Sequence, residues 1–183
     1  WRADRPQRGR FRQFVQCDID ILGEASCLAE IELILATTTL LGKLNFKDFK
    51  VRINERRILK AMAAYSGFTE DQYDQVFIIL DKMDKIGWDG VKAELLEAGY
   101  PEKNVETYVS MFGEMENAKD SLVYLEEKLS GVLEDGVIDN LRMIRESVEA
   151  TAAAQFRLIF DPTLVRGMSY YTGTIFEIEM AEF

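Results

Sequence analysis

The chain contains no histidine and only two cysteines among its 183 residues. Zinc centres are assembled from imidazoles and closely spaced thiolates, so with no histidine and no Cys-x-x-Cys pair none is expected. Cys17 and Cys27 lie in apolar segments and are expected to be small buried hydrophobes in a reducing compartment. A long uncharged apolar run is also missing. The longest such stretch, residues 27–41, is interrupted by Glu30 and Glu32 and is too short and too charged to span a membrane. No charged segment leading into an apolar one opens the chain, so no secretory signal is expected and the location is read as cytoplasmic. What is present is ordinary for a globular protein: 48% apolar and 30% charged residues. That length suffices for one good core, or for one domain with a smaller second one.

The net charge of −10 is unevenly distributed. Residues 1–66 carry 12 basic and 8 acidic groups, residues 67–150 carry 8 and 20, and residues 151–183 carry 2 and 4. Net charges of +4, −12 and −2 follow, a shift that suggests two units with the middle one inserted into the other. The expected boundaries are 1–66, 67–153 and 154–183. The chain opens at Trp1 inside a motif and stops at Phe183 on an apparent strand, so it is expected to be an internal piece of a longer protein.

Residues 10–22 alternate, with Phe11, Val15, Ile19 and Ile21 on odd positions and Arg10, Arg12, Gln16, Asp18 and Asp20 on even ones. This predicts a two-faced strand. A breaker-free run from 27 to 42 predicts a helix capped by Ser26, residues 48–54 a short strand, and residues 55–65 a second helix. From Gly67 the pattern becomes helical throughout. Thr69 to Gln72 fits a capping box, Gly87 and Gly99 break helices, and Pro101 suits a first turn. Further helices are expected over 118–129 and 137–153. Residues 168–180 are β-branched and aromatic and predict another strand. Strands at both ends with helices between, and no repeating strand–helix rhythm, indicate an α+β fold with an all-helical insertion.

Five arginines fall within residues 1–12, with turn chemistry at Pro6 to Gly9. One reading is a basic surface loop touching nucleic acid; the other is a strand lining a cleft. On a strand rising about 3.3 Å per residue, Arg10, Gln16 and Asp20 would share one face over roughly 33 Å. Cations at one end would then hold phosphates, and carboxylates at the other would meet a hydrogen-bond donor.

The run Arg2-Ala3-Asp4-Arg5-Pro6-Gln7-Arg8-Gly9-Arg10-Phe11-Arg12-Gln13-Phe14-Val15-Gln16 resembles motif 2 of class II aminoacyl-tRNA synthetases, the histidyl enzymes in particular. A second run, Leu164-Val165-Arg166-Gly167-Met168-Ser169-Tyr170-Tyr171-Thr172-Gly173-Thr174-Ile175-Phe176-Glu177, is similar to the signature of histidyl-tRNA synthetases and their paralogues. The two motifs cover about 30 residues and stand in the family's order. The resemblance implies part of the class II antiparallel sheet with flanking helices, and histidine–tRNA ligase activity using ATP and Mg2+. Its partners would be histidine, tRNA(His) and a second copy in the full-length dimer. The alternative is the non-catalytic paralogue that serves as regulatory subunit of ATP phosphoribosyltransferase.

By the same resemblance, Arg2 would grip the α-phosphate of ATP, Arg10 would reach the terminal phosphates, and Phe14 would stack on the adenine. Asp4 stands where the family usually has Glu near the adenine. Gln16 would contact the amino acid and adenylate, and Asp20 would read the imidazole. Arg166 would be a second cation at the α-phosphate, and Tyr170 and Tyr171 would line the histidine pocket. Ser169 replaces a usual Asp, which leaves that carboxylate's orienting role unfilled. Arg12 reads as a salt-bridge partner. Adenylation needs charge stabilisation and no obligatory proton-transfer residue, so the lack of histidine is compatible with it.

Overall fold

A computed structural model describes residues 1–3, 5–166 and 170–180. The sequence folds locally much as its signals predict. Helix α1 (Leu28–Lys43) is an exception: it starts from Cys27 with no side-chain cap, and the expected cap, Ser26, lies one residue earlier, its Oγ 3.4 Å from Leu28 N. Strand β1 (Phe49–Glu55) runs directly into α2 (Arg56–Tyr65), because the Glu55 carboxylate caps the helix by accepting from Arg57 N–H. The capping box at Thr69 and Gln72 forms, opening a short 3-10 turn (Glu70–Gln72) that leads into α3 (Tyr73–Leu80). Helix α4 (Met83–Glu97) is interrupted at Gly87, where φ 67 and ψ 176 are non-helical and suit glycine, so the expected break divides it into two pieces. Helices α5 (Glu102–Asn117), α6 (Ser121–Lys128) and α7 (Val137–Thr151) follow.

Two strands complete the sheet, β2 (Phe156–Phe160) and β3 (Thr174–Glu179), in the order β2-β1-β3. The expected antiparallel sheet is corrected to a mixed one: β1 pairs antiparallel with β3 but parallel with β2. Parallel neighbours need a long crossover, and the helical run between β1 and β2 supplies it. Strand β2 carries no clear local strand signal. Its five residues, FRLIF, alternate half-buried and exposed and lie four residues beyond α7, and so short an apolar run does not by periodicity alone separate strand from helix.

One face of the sheet is apolar. Phe49, Val51 and Ile53 of β1 are buried beside Phe156, Leu158 and Phe160 of β2, with Phe49 and Phe156 stacked at 5.6 Å. The other face carries Lys50, Arg52 and Asn54 opposite Glu179, Glu177 and Ile175 of β3. The helices add an aromatic cluster in which Tyr108 meets Phe68 and Phe112 edge to face. Buried residues form a continuous cluster from the sheet into these helices, and α1 packs on α7. Residues 67–153 add no strand to the sheet among the described residues. No helix of the described residues is long and apolar enough to cross a membrane.

The strand expected over 10–22 does not form; Gln7 and Arg10 make an isolated bridge and the rest is exposed coil. Alternation predicts a strand only where a neighbouring strand can satisfy its backbone and a core can take its apolar side. Here segment 10–22 pairs with none of the three strands, and Val15 stands 94% exposed. The cysteines divide likewise: Cys27 is buried with Sγ 3.4 Å from Met143 Sδ, whereas Cys17, on the same coil, is exposed instead of buried as expected.

Candidate active site

The expected site residues fall into two groups. The first lies on the opening segment, which doubles back on itself: Arg2 N–H donates to Arg12 C=O at 2.9 Å, and Gln7 and Arg10 exchange backbone bonds of 3.2 and 2.9 Å around a turn with Gly9 at φ 76. Doubling back brings Arg2 to Phe14 and Gln16. The Arg2 guanidinium lies 5.0 Å from the Phe14 ring centroid, and its Nη2 donates to Gln16 Oε1 at 3.1 Å. Gln16 Nε2 in turn donates to Asp18 Oδ1 at 2.6 Å. A cation, an aromatic face and a carboxamide are thereby gathered in one place. Arg10 sits at the base of the turn, and Asp20 lies farther along the exposed coil. The single line of Arg10, Gln16 and Asp20 expected on a strand face is therefore not formed. Asp4 lies outside the described residues.

The second group is carried by the loop between β2 and β3. Its start is tied to β1: Asp161 N–H donates to Ile53 C=O at 2.9 Å, and Arg52 Nε donates to Asp161 Oδ2 at 2.6 Å. Asp161 Oδ1 also accepts from Thr163 N–H and Oγ1, at 2.8 and 2.6 Å, which folds the loop into a turn. The buried Asn54 donates to Leu164 C=O at 3.0 Å. The loop's far end is tied to the start of α2, where Arg56 N–H donates to Gly173 C=O at 3.0 Å and Thr174 Oγ1 donates to the buried Glu55 carboxylate at 3.2 Å. Arg57 holds the same carboxylate through Nε and Nη2, at 3.1 and 3.0 Å. This bond raises the Arg57 pKa.

Leu164 and Val165 are buried, which turns Arg166 outward. Its guanidinium forms a fork on Glu177 of β3, with Nε to Oε2 at 2.8 Å and Nη2 to Oε1 at 2.6 Å. The bond to Glu177 raises the Arg166 pKa. Tyr170 and Tyr171 meet edge to face at 5.3 Å. Arg166, Glu177 and Arg52 line a cleft of about 210 Å³ together with Asp81, Asp84 and Lys85. Ser169 lies outside the described residues.

The first group thus joins Arg2, Phe14 and Gln16, whereas in the second Arg166 pairs with Glu177 and Tyr170 with Tyr171. Sequence reasoning missed the residues that hold them: Asp18, Arg52, Asn54, Glu55, Asp161 and Glu177. A signal for three was available, since alternation over FKVRIN puts Arg52 and Asn54 on one face and alternation over IFEIE puts Glu177 and Glu179 on one face. Among the described residues no three metal-ligating side chains gather. Mg2+ is ordinarily held by one or two carboxylates together with substrate phosphates, so a prebuilt cage is not what its use requires.

The helices and the mixed three-stranded sheet define an α+β protein, and comparison with known proteins refines that class. A family model described as Histidyl-tRNA synthetase matches residues 1–181. The histidine–tRNA ligase of Leifsonia xyli subsp. xyli is 46% identical over 182 residues, covering 97% of this chain and 42% of the relative. That of Flavobacterium johnsoniae is 38% identical, covering 97% of this chain and 38% of the relative. The crystal structure of histidyl-tRNA synthetase from Nostoc sp. PCC 7120 superposes with a TM-score of 0.69 at 23% identity, over 85% of this chain and 37% of that one. A Bacillus halodurans C structure described as an ATP phosphoribosyltransferase regulatory subunit/histidyl-tRNA synthetase superposes with a TM-score of 0.66 at 20% identity, over 88% and 41%. The chain belongs to the histidyl-tRNA synthetase family, a family of class II aminoacyl-tRNA synthetases. It spans about two fifths of the length of these curated relatives.

Proposed function

We propose that the protein carrying this chain is a histidine–tRNA ligase, and that the chain supplies part of its adenylation site. The observation that carries this reading is the joining of Arg2 to both the Phe14 ring and the Gln16 carboxamide. These are the groups needed for an α-phosphate, an adenine and an aminoacyl moiety. In the reaction a carboxylate oxygen of histidine attacks the α-phosphorus in line, a P–O bond forms, and the bond to pyrophosphate breaks. Negative charge grows on the non-bridging oxygens, where Arg2 and Arg166 stabilise it. Arg10 reaches the terminal phosphates, Phe14 stacks on the adenine, and Asp4 lies near the adenine. Gln16, Asp20, Tyr170 and Tyr171 read the amino acid. An imidazole N–H donor satisfies a carboxylate and a phenol oxygen that a substrate without it would leave unpaired, which is the source of selectivity. A tRNA(His) ribose hydroxyl then attacks the activated carbonyl and AMP leaves. Mg2+ bound with ATP would offset the charge on the phosphates, and no residue of this chain is assigned to it.

Residues 67–153 form an inserted helical unit on this reading, with 1–66 and 154–183 as the two parts of the catalytic sheet. The insertion lies near the tRNA acceptor arm, and the net charge of −12 over residues 67–150 limits it to local phosphate contacts. The full-length protein acts as a cytoplasmic homodimer. Retention of Arg2, Arg10 and Arg166 favours the ligase over the regulatory paralogue, which has no need of a phosphate clamp.

Histidine-dependent exchange of labelled pyrophosphate into ATP tests this reading in the full-length protein. Exchange with histidine and none with the other amino acids is the expected result. No exchange, with binding to an ATP phosphoribosyltransferase catalytic chain instead, would replace the ligase by the regulator. The 183-residue chain alone is expected to give little or no exchange, since it holds part of the ATP site.

A further inference from the structure

We infer that Glu177 is a positioning residue for Arg166, fixing the guanidinium before substrate arrives. This rests on the reading of Arg166 as a cation at the α-phosphate. Glu177 is on β3, where the ladder to β1 fixes its backbone opposite Arg52. Arg166 is on a loop, and its side chain is 57% exposed. A long flexible side chain on a loop would sample many rotamers. The fork of two parallel bonds, 2.8 and 2.6 Å, selects one orientation of the guanidinium plane and ties it to the sheet.

The fork uses Nε and Nη2, so Nη1 and the second Nη2 proton remain to face a phosphate oxygen. Arg52, opposite Glu177 in the ladder, donates its Nε to Asp161 at 2.6 Å, so both Glu177 oxygens accept from Arg166. The loop itself is held by bonds that do not involve Glu177: Asp161 to Ile53, Asn54 to Leu164 and Arg56 to Gly173. Replacing Glu177 therefore leaves the loop tethered and releases the one side chain.

The test uses the full-length protein and five variants: Glu177→Gln, Glu177→Asp, Arg166→Lys, Arg166→His, and Glu177→Gln combined with Arg166→Lys. Misplacing a preorganised donor by about 1 Å can cost up to 10²-fold in rate. Glu177→Gln is expected to lower kcat for pyrophosphate exchange about 10- to 100-fold with the KM for histidine little changed. Glu177→Asp should recover part of the loss. In the Arg166→Lys background, the same Gln substitution should cost less than threefold, because a lysine cannot take the fork. A full Glu177→Gln loss persisting in that background would show a general structural role and overturn the inference. Normal exchange by Glu177→Gln beside a crippled Arg166→Lys would overturn it while leaving the catalytic reading intact. Normal exchange by Arg166→Lys and Arg166→His alike would instead fail the catalytic reading itself.

Discussion

Arg52 on β1 donates to Asp161, the first residue after β2, across 2.6 Å, and this bond starts the loop that bears Arg166. Both side chains are about four-fifths shielded, with exposures of 17% and 21%. Asp161 also accepts two bonds from Thr163, so one carboxylate closes a strand-to-loop junction. Asp161→Ala removes all three and leaves Arg52 to Glu179 and Asp84, each 3.9 Å away. Bonds to charged groups contribute about 1.5–3 kcal/mol net, and a loss of about 2–3 kcal/mol is expected. Urea unfolding should show a lower midpoint with an unchanged slope. Asp161→Asn, which keeps the turn, should lose about half as much.

A second prediction concerns the contact between α5 and α6. Glu114 accepts from Tyr124 Oη at 2.5 Å and from Lys128 Nζ at 2.9 Å. These bonds, Tyr124 first, hold the Glu114 carboxyl below its ordinary 4.5. A carboxylate whose pKa is depressed by folding stabilises the fold above its unfolded value, and that contribution is lost as pH falls through the folded value. Glu114→Gln should therefore destabilise at pH 7, with the difference from wild type shrinking as the pH drops below 4.5. Paired urea titrations across that range measure it. A difference constant with pH would contradict the ion-pair account.

The helical half of the molecule was the more legible in sequence. The capping box at Thr69, the Gly87 break and the start near Pro101 all depend on interactions within a few residues, which local sequence determines. Segment 10–22 shows the opposite case. Its alternation is as clear as that of 48–54, but only the latter lies between two partner strands. The motif residues Arg2, Phe14 and Gln16 were found through their pattern, and the structure joins them by a doubled-back loop instead of a strand face. Glu55 and Asp161 could not be read as tethers, because their partners lie across 119 and 109 residues of chain.

Tyr108 provides a third prediction. It is fully buried between Phe68 and Phe112, and among the described residues its hydroxyl meets no hydrogen-bond partner. Burial raises its pKa, so the phenol stays neutral. An unsatisfied buried hydroxyl costs stability, whereas phenylalanine would keep both ring contacts. Tyr108→Phe should be neutral or up to about 1 kcal/mol stabilising. A thermal melt showing clear destabilisation would mean that the hydroxyl has a partner.

The central claim is that the signature loop presents Arg166 to the α-phosphate during adenylation. Single-turnover formation of histidyl-adenylate by the full-length protein, wild type against Arg166→His, tests it most directly. Histidine in place of arginine removes a permanently charged donor fork, and losing one preorganised donor costs about 10²–10³ in rate. A loss of that size is expected with an unchanged melting temperature, because the side chain serves an exposed cleft. Near-normal adenylate formation by Arg166→His would contradict it.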